Sequence, residues 1–179
     1  MTKETKVYGG SLYELAKEEG LSEEIYGELT AVLKIFDQNP DYWRFLGTLS
    51  IPKQERCGAL DEALGGKVQP YLLSFIKILC ENGSVAQLRD CAKEYRCRYN
   101  EDHGIVEVHA VTAVELKPEL KGKLAEKLQS VLGKTVELTC SVDAACMGGV
   151  LLELPGRQRD GPVKHRLDAL SASLKAAAM

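Results

Sequence analysis

The chain has 179 residues, 45% hydrophobic and 27% charged, with a formal net charge of −3. That length suits one domain or two small ones around a buried core. The acidic balance argues against holding nucleic acid by general charge, which takes a basic surface, and no apolar run approaches the roughly 20 residues that span a bilayer.

Residues 4–19 read as a first helix, with Val7 or Tyr8, Leu12, Leu15 and Ala16 on one face. Gly9 and Gly10 each cost about 1 kcal/mol of helix propensity relative to Ala, which predicts a start that stays frayed until something packs on it. Gly20 ends this helix. Ser22 is placed to cap the next, with Glu23 and Glu24 at its positive end. Leu21, Ile25, Leu29, Val32 and Phe36 form its apolar stripe. Asn39-Pro40 breaks the chain, and Asp41 is placed to cap a short helix, Tyr42 to Leu46, in which Trp43 is expected to be partly buried. Pro52 opens a helix to Leu64, and Gly65-Gly66 ends it. The segment Val68 to Asn82 is apolar nearly all round, so it is buried on most faces or shares one with a partner. Gly83 suits a left-handed cap. Ser84 is expected to cap a long helix carrying Val85, Leu88, Ala92, Tyr95 and Tyr99. Six helices with short loops and no strand predict a compact helical bundle over residues 1–104, with the polar stretch Asn100 to Gly104 as linker.

Beyond the linker the period changes. Ile105 to Val111 reads as a strand, with Val106 and Val108 alternating against Glu107 and His109. Pro118 starts a helix carrying Leu120, Leu124, Leu128 and Val131 or Leu132. Val136, Leu138, Cys140 and Val142 alternate with Glu137, Thr139, Ser141 and Asp143, which puts four apolar side chains on one sheet face. Gly148-Gly149 opens a third strand, Val150 to Leu154, Asp160-Gly161 is a turn, and Val163, Leu167, Leu170 and Leu174 mark a final helix. The fold class expected is therefore mainly α with a small α+β part: a six-helix bundle, then a β-sheet and helix module over 105–179.

Chemistry is harder to find. Leu132-Gly133-Lys134-Thr135 contains GKT, but a phosphate loop needs Gly at position 128, where Leu128 stands, and a strand before with a helix after. No G-x-G-x-x-G exists, and the three histidines are scattered, without zinc-type spacing. Cys140 and His109 belong to opposite strand parities. Neither catalytic residues, nor a metal, nor a cofactor is expected. The six cysteines are Cys57, Cys80, Cys91, Cys97, Cys140 and Cys146. With no CxxC and no secretion signal they read as free, small apolar residues. A redox protein using Cys91 and Cys97 is one alternative. Arg157, Arg159, Lys164, His165 and Arg166 make a basic cluster that suits a solvated turn or docking to an acidic helix.

Taken together, several features are similar to one family. Val142-Asp143, Gly148-Gly149-Val150, Asp160-Gly161 and Arg166-Leu167, with the opening Tyr8-Gly9-Gly10-Ser11-Leu12 and the Asn82-Gly83 break, resemble the delta subunits of F-type ATP synthases, the bacterial counterparts of the oligomycin-sensitivity conferral protein. Element order agrees over nearly the whole chain, although Gly9 and Gly10 stand where that family usually has alanines. The resemblance implies a non-catalytic stator subunit that keeps the catalytic head from turning with the rotor. It implies a groove between the first and fifth helices for the N-terminal helices of alpha subunits, lined here by Tyr8, Leu12, Leu15, Phe75, Ile76 and Leu79. The C-terminal module would engage the C-terminal end of the peripheral-stalk b subunit. Gly83, Gly148, Gly149, Asp160, Gly161 and Arg166 would shape the fold. Location would be peripheral, on the cytoplasmic face of a bacterial inner membrane, touching membrane only through the complex and binding no nucleic acid. Residues 1–10 agree, having neither a signal peptide's apolar core nor a transit peptide's Arg-rich character. The rival is a helical adaptor or nucleic-acid-binding regulatory protein of similar layout.

Overall fold

The computed structural model describes residues 2–112, 114–143 and 150–153. Gly148, Gly149, Asp160, Gly161, Arg166 and the helix expected from Pro162 lie outside the described residues. The chain divides into two compact units, Met1–Tyr99 and Asn100–Met179.

The first unit is helical: α1 Lys3–Glu18, α2 Ser22–Gln38, α3 Pro40–Gly47, α4 Lys53–Leu64, α5 Pro70–Glu81 and, after a 3₁₀ turn at Val85–Gln87, α6 Leu88–Asp102. Two helix ends close by the same device. Gly20 and Gly83 take φ of 70° and 66°. Around them Leu21 N donates to Ala16 O and Ser84 N to Leu79 O, both at 2.8 Å, while Gly20 N and Gly83 N reach Lys17 O and Cys80 O. This paired bonding closes a helix on a left-handed glycine, where a Cβ would be strained.

The helix starts differ from expectation. Ser22 is the first residue of α2, behind an N-cap Leu21, and Ser84 makes no side-chain cap bond. Asp41 lies inside the first turn of α3, whose N-cap is Asn39. Long-range groups take over part of this work. Glu28 Oε2 of α2 accepts the backbone N–H of Gln69, the N-cap of α5, at 2.8 Å. A carboxylate there also suits the positive end of the helix. Asn100 to Asp102, expected as linker, are the last residues of α6.

Gly9 and Gly10 are buried, and their role is packing. A Cβ built on Gly9 would run into the carbonyl oxygen of Cys91 and lie 3.0 Å from the Cβ of Glu94. One on Gly10 would run into the guanidinium of Arg98. The fraying predicted from propensity is thus answered by α6, which approaches α1 closely at the two positions without side chains. Tyr13 meets Tyr95 edge-on at 5.2 Å, and Arg98 bridges Glu14 of α1 and the buried Glu94.

One buried cation organises the other side of the bundle. Arg56 on α4 is 1% exposed. Its Nη1 donates to Leu46 O at 2.9 Å and Cys80 O at 2.7 Å, and its Nε to Ile51 O at 3.2 Å. Leu46 and Cys80 lie in the last turns of α3 and α5, where carbonyls lack helical partners and carry the negative end of the dipole. The charge is met by three carbonyls and, at 3.8 Å, by Cys80 Sγ.

In the second unit β1 Ile105–Thr112, α7 Pro118–Leu132, β2 Thr135–Val142 and β3 Val150–Glu153 form a sheet of order β2-β1-β3. β1 and β2 are parallel and joined through α7, while β3 is antiparallel to β1. The alternation in β1 is regular, with Val106, Val108, Ala110 and Thr112 buried. Val106, Val108, Leu128, Leu132 and Val136 form a core, backed by Leu124, Val131, Leu138 and Leu152. β2 keeps this face only in part: Val136 is buried and Leu138 and Cys140 half-buried, but Val142, expected inward, is 56% exposed. Gly133 ends α7 in the left-handed region at φ 67° and β2 begins two residues later, so the GKT stretch is a helix-to-strand turn.

Candidate functional site: an apolar groove between two helices

The first unit carries an open groove of about 250 Å³ between α1 and α5. Tyr8, Ser11, Leu12 and Leu15 line one wall, and Tyr71, Ser74, Phe75 and Ile78 the other. Each set recurs at three- and four-residue spacing, so each is a stripe along one side of its helix. α1 can present its stripe because a different side holds it to the bundle: Gly9, Gly10 and Tyr13 pack on α6, and Ala16 is wholly buried. α5 is fixed at its start by Glu28 and at its end by the Gly83 closure and Arg56.

Exposure separates the wall from the floor. Leu12 and Phe75 are buried and form the floor, whereas Leu15, Tyr71 and Ile78 are 36%, 37% and 48% exposed. Four of the six residues expected here, Tyr8, Leu12, Leu15 and Phe75, line the groove. Ile76 and Leu79 do not: both are wholly buried in the core. Tyr71 and Ile78 take their place, with Ser11 and Ser74 as the polar members. The 71, 75, 78 spacing was legible in the sequence, but α5 is apolar nearly all round and offers a second stripe, 72, 76 and 79, of equal quality.

Such a groove can do little chemistry. Ser11 and Ser74 are the hydroxyls in its walls beside Tyr8 and Tyr71, and no carboxylate, histidine or thiol lines it. What it offers is apolar area in a trough matched to one side of an amphipathic helix. Elsewhere, His109 lies between Thr139 Oγ1 at 3.1 Å and Ser141 Oγ at 2.9 Å on the outer sheet face. Cys140 pairs with Ala110, so it belongs to the other face and cannot serve as a nucleophile beside His109. Cys91 and Cys97 sit six residues apart on α6, about a third of a turn from each other around the helix. Cys91 is buried against Gly9, and burial pushes its thiol from 9.0 to about 11, with Asp90 adding to the effect. Burial of that kind disfavours the Cys91 thiolate at neutral pH, and the spacing sets the two thiols on different sides of α6, an arrangement that does not suit a dithiol centre. No group of three or more potential metal ligands occurs among the described residues, nor any helix long and apolar enough to cross a membrane.

Residues 5–174 match the model of the family described as the ATP synthase delta (OSCP) subunit. The chain is 30% identical to the ATP synthase subunit delta of Leuconostoc citreum, covering 93% of each chain. It is 30% identical to that of Symbiobacterium thermophilum over 89% of this chain and 86% of the relative. A chain in the cryo-EM structure of the Toxoplasma gondii mitochondrial ATP synthase hexamer superposes with a TM-score of 0.69 at 21% identity, covering 97% of this chain and 98% of that one. That likeness extends to the mostly helical fold with its small three-stranded sheet. With a family match running from α1 past the last described strand, this chain belongs to the ATP synthase delta (OSCP) subunit family.

Proposed function

We propose that this chain is a non-catalytic stator subunit of a proton-translocating ATP synthase, linking the catalytic head to the peripheral stalk. Residues 1–104 act as the head-binding part and residues 105–179 as the stalk-binding part. The α1–α5 groove receives the N-terminal helix of an alpha subunit, and the second unit engages the C-terminal end of the b subunit. The protein sits peripherally on the cytoplasmic face of a bacterial inner membrane and meets the membrane only through the complex. The observation that carries this reading is the groove, a preformed apolar trough on a chain of this family. Resisting torque requires tight binding and no chemistry, and an amphipathic helix in a trough supplies large apolar contact from a short partner segment.

Binding of a synthetic peptide with the sequence of an alpha subunit's N-terminal helix, followed by calorimetry, tests the groove. Leu15→Asp and Ile78→Asp are the variants to use, because both side chains are exposed in the free protein and their loss spares the core. Leu12→Asp is unsuitable, since Leu12 is floor. Each variant should weaken binding by roughly tenfold or more, the equivalent of about 1.5–3 kcal/mol for one buried aliphatic side chain. The thermal midpoint should not move. Unchanged affinity in both folded variants would remove the groove from the interface. In inverted vesicles the same variants should lower ATP-driven acidification while the head keeps its ATPase activity.

A further inference from the structure

The wall that α1 gives to the groove is held from behind. Gly10 and Glu14 are four residues apart, on the side of α1 turned away from Tyr8, Ser11, Leu12 and Leu15. Arg98 of α6 meets both. Its Nη1 donates to Glu14, and its Nε donates to Oε1 of Glu94 at 3.2 Å. Glu94 is 1% exposed, whereas the Glu14 side chain is 67% exposed. The guanidinium therefore spans from the interior of the bundle to a surface carboxylate on α1. It also occupies the space beside Gly10 that a side chain would take. The neighbour differs at Gly9, where that space belongs to the backbone carbonyl of Cys91. The opposite wall of the groove has its own anchors, since α5 is tied at its start by Glu28 and at its end by Arg56.

We propose that Arg98 is a positioning residue for the groove: seated beside Gly10 and joined to Glu14 and Glu94, it holds α1 at the place where a partner helix can touch both walls. The inference rests on the reading of the groove as a helix-binding site. A trough binds a helix by apolar contact spread over two walls, so a wall that wanders must be brought back when the helix binds. Apparent affinity then falls by the fraction of molecules with the wall in place. An isolated surface ion pair would hold α1 poorly. Here the inner end of the link is fixed, because the buried Glu94 carboxylate orients the guanidinium and its planar fork aims the other arm at Glu14. Glycine at position 10 belongs to the same device. A side chain there would push the guanidinium off its two carboxylates without meeting any backbone, so the change would reach the link and spare the helix crossing.

Gly10→Ala separates positioning from simple support of the fold. It keeps Glu14, Glu94 and Arg98, adds helix propensity and displaces only the guanidinium. The full-length protein is followed by hydrogen–deuterium exchange of the α1 and α2 amides, and by calorimetry with the peptide of an alpha subunit's N-terminal helix. In Gly10→Ala, α1 should exchange faster while α2 and Tm keep their wild-type values. Peptide affinity should fall roughly fivefold, the loss when about a fifth of the molecules hold the wall in place. Bound peptide should return α1 to wild-type protection. Arg98→Met, which keeps the stem and removes the charge, should loosen α1 in the same way, and Arg98→Lys should lie between, since an ammonium lacks the fork. Wild-type exchange of α1 in both Gly10→Ala and Arg98→Met overturns the proposal. Exchange that quickens equally in α1 and α2 also overturns it, because Arg98 would then support the whole bundle. So does faster α1 exchange with undiminished peptide affinity. A wild-type protein that binds no peptide overturns the groove reading instead, and the exchange comparison still decides whether Arg98 holds α1.

Discussion

The two units of this protein reach a buried core by different means. In the first, six helices enclose large side chains, and the interior also contains Arg56 and Glu94, each almost wholly buried. Close approach is achieved by omission at Gly9 and Gly10 and by polar contacts that tie helix ends together. In the second, the described core is one helix on one face of a three-stranded sheet, built from five buried residues and strand alternation, with no buried charge among the described residues. The helical unit is held by contacts that are demanding in shape and polarity, the sheet unit by simple patterning. A groove that must present a fixed shape to a helix needs the first kind of support. Rigid helix placement lets Leu15, Tyr71 and Ile78 remain on the surface without collapsing onto each other.

The largest effect that tests this contrast should come from Arg56. Arg56→Leu keeps volume and removes the charge, leaving the carbonyl of Ile51 without its donor and those of Leu46 and Cys80 with one bond fewer each. Unsatisfied buried groups cost about 1–3 kcal/mol each, so a loss of about 3–5 kcal/mol is expected in the first unit. Urea unfolding followed by circular dichroism measures it. A variant as stable as the parent would show that Arg56 is replaceable packing and that the first unit does not depend on polar ties.

Alkaline pH should single out the same unit. Burial raises the Cys91 thiol from 9.0 to about 11. Burial, with Tyr13 and Tyr99 adding to it, also raises Tyr95, whose hydroxyl donates to Ser22 O. The folded state therefore holds protons that the unfolded chain releases first. Their contribution is complete below pH 9 and is lost as pH rises from about 9 to about 11 for Cys91, and from 10 upward for Tyr95. For Cys91 this amounts to about 2–3 kcal/mol at most. Urea midpoints taken at pH 7, 9 and 11 should fall across that window, and Cys91→Ala should flatten part of the fall. A wild-type midpoint that holds steady to pH 11 contradicts the buried-thiol account.

Glycine substitution gives the smallest effects and the clearest change of sign. Gly9→Ala gains helix propensity of about 1 kcal/mol, yet should destabilise the protein by about 1–3 kcal/mol, because the methyl meets a backbone carbonyl that cannot swing aside. Gly122, in α7, is exposed and has open space where a Cβ would stand. Gly122→Ala should stabilise by about 0.4–1 kcal/mol. Thermal midpoints of the two variants should move in opposite directions, and movement in the same direction would dissolve the distinction between the units at these sites.

Much of the fold was legible because it depends on local properties. The stripe Ile25, Leu29, Val32, Phe36 defines α2, and all four are buried. The alternation in β1 reads the same in sequence and structure. Gly20 and Gly83 end helices because only the conformational freedom of glycine suits the left-handed turn there. Period and φ preference belong to a few neighbouring residues, so the sequence by itself determined them. Tertiary structure alone decided which of two equal stripes on α5 faces the core. Ile76 and Leu79 are covered by other helices while Tyr71 and Ile78 are not, and coverage is a property of the neighbours. It likewise turned Gly9 from a weak point into a crossing, since the cost of a missing side chain depends on what occupies its space. It passed over Ser22 and Ser84 as side-chain caps, gave Glu28 the N-cap backbone of α5, and set Arg56 beside Cys80 across more than twenty residues of chain. A hydrogen bond between distant segments leaves no periodic trace in either segment, and it exists only once the helices have packed.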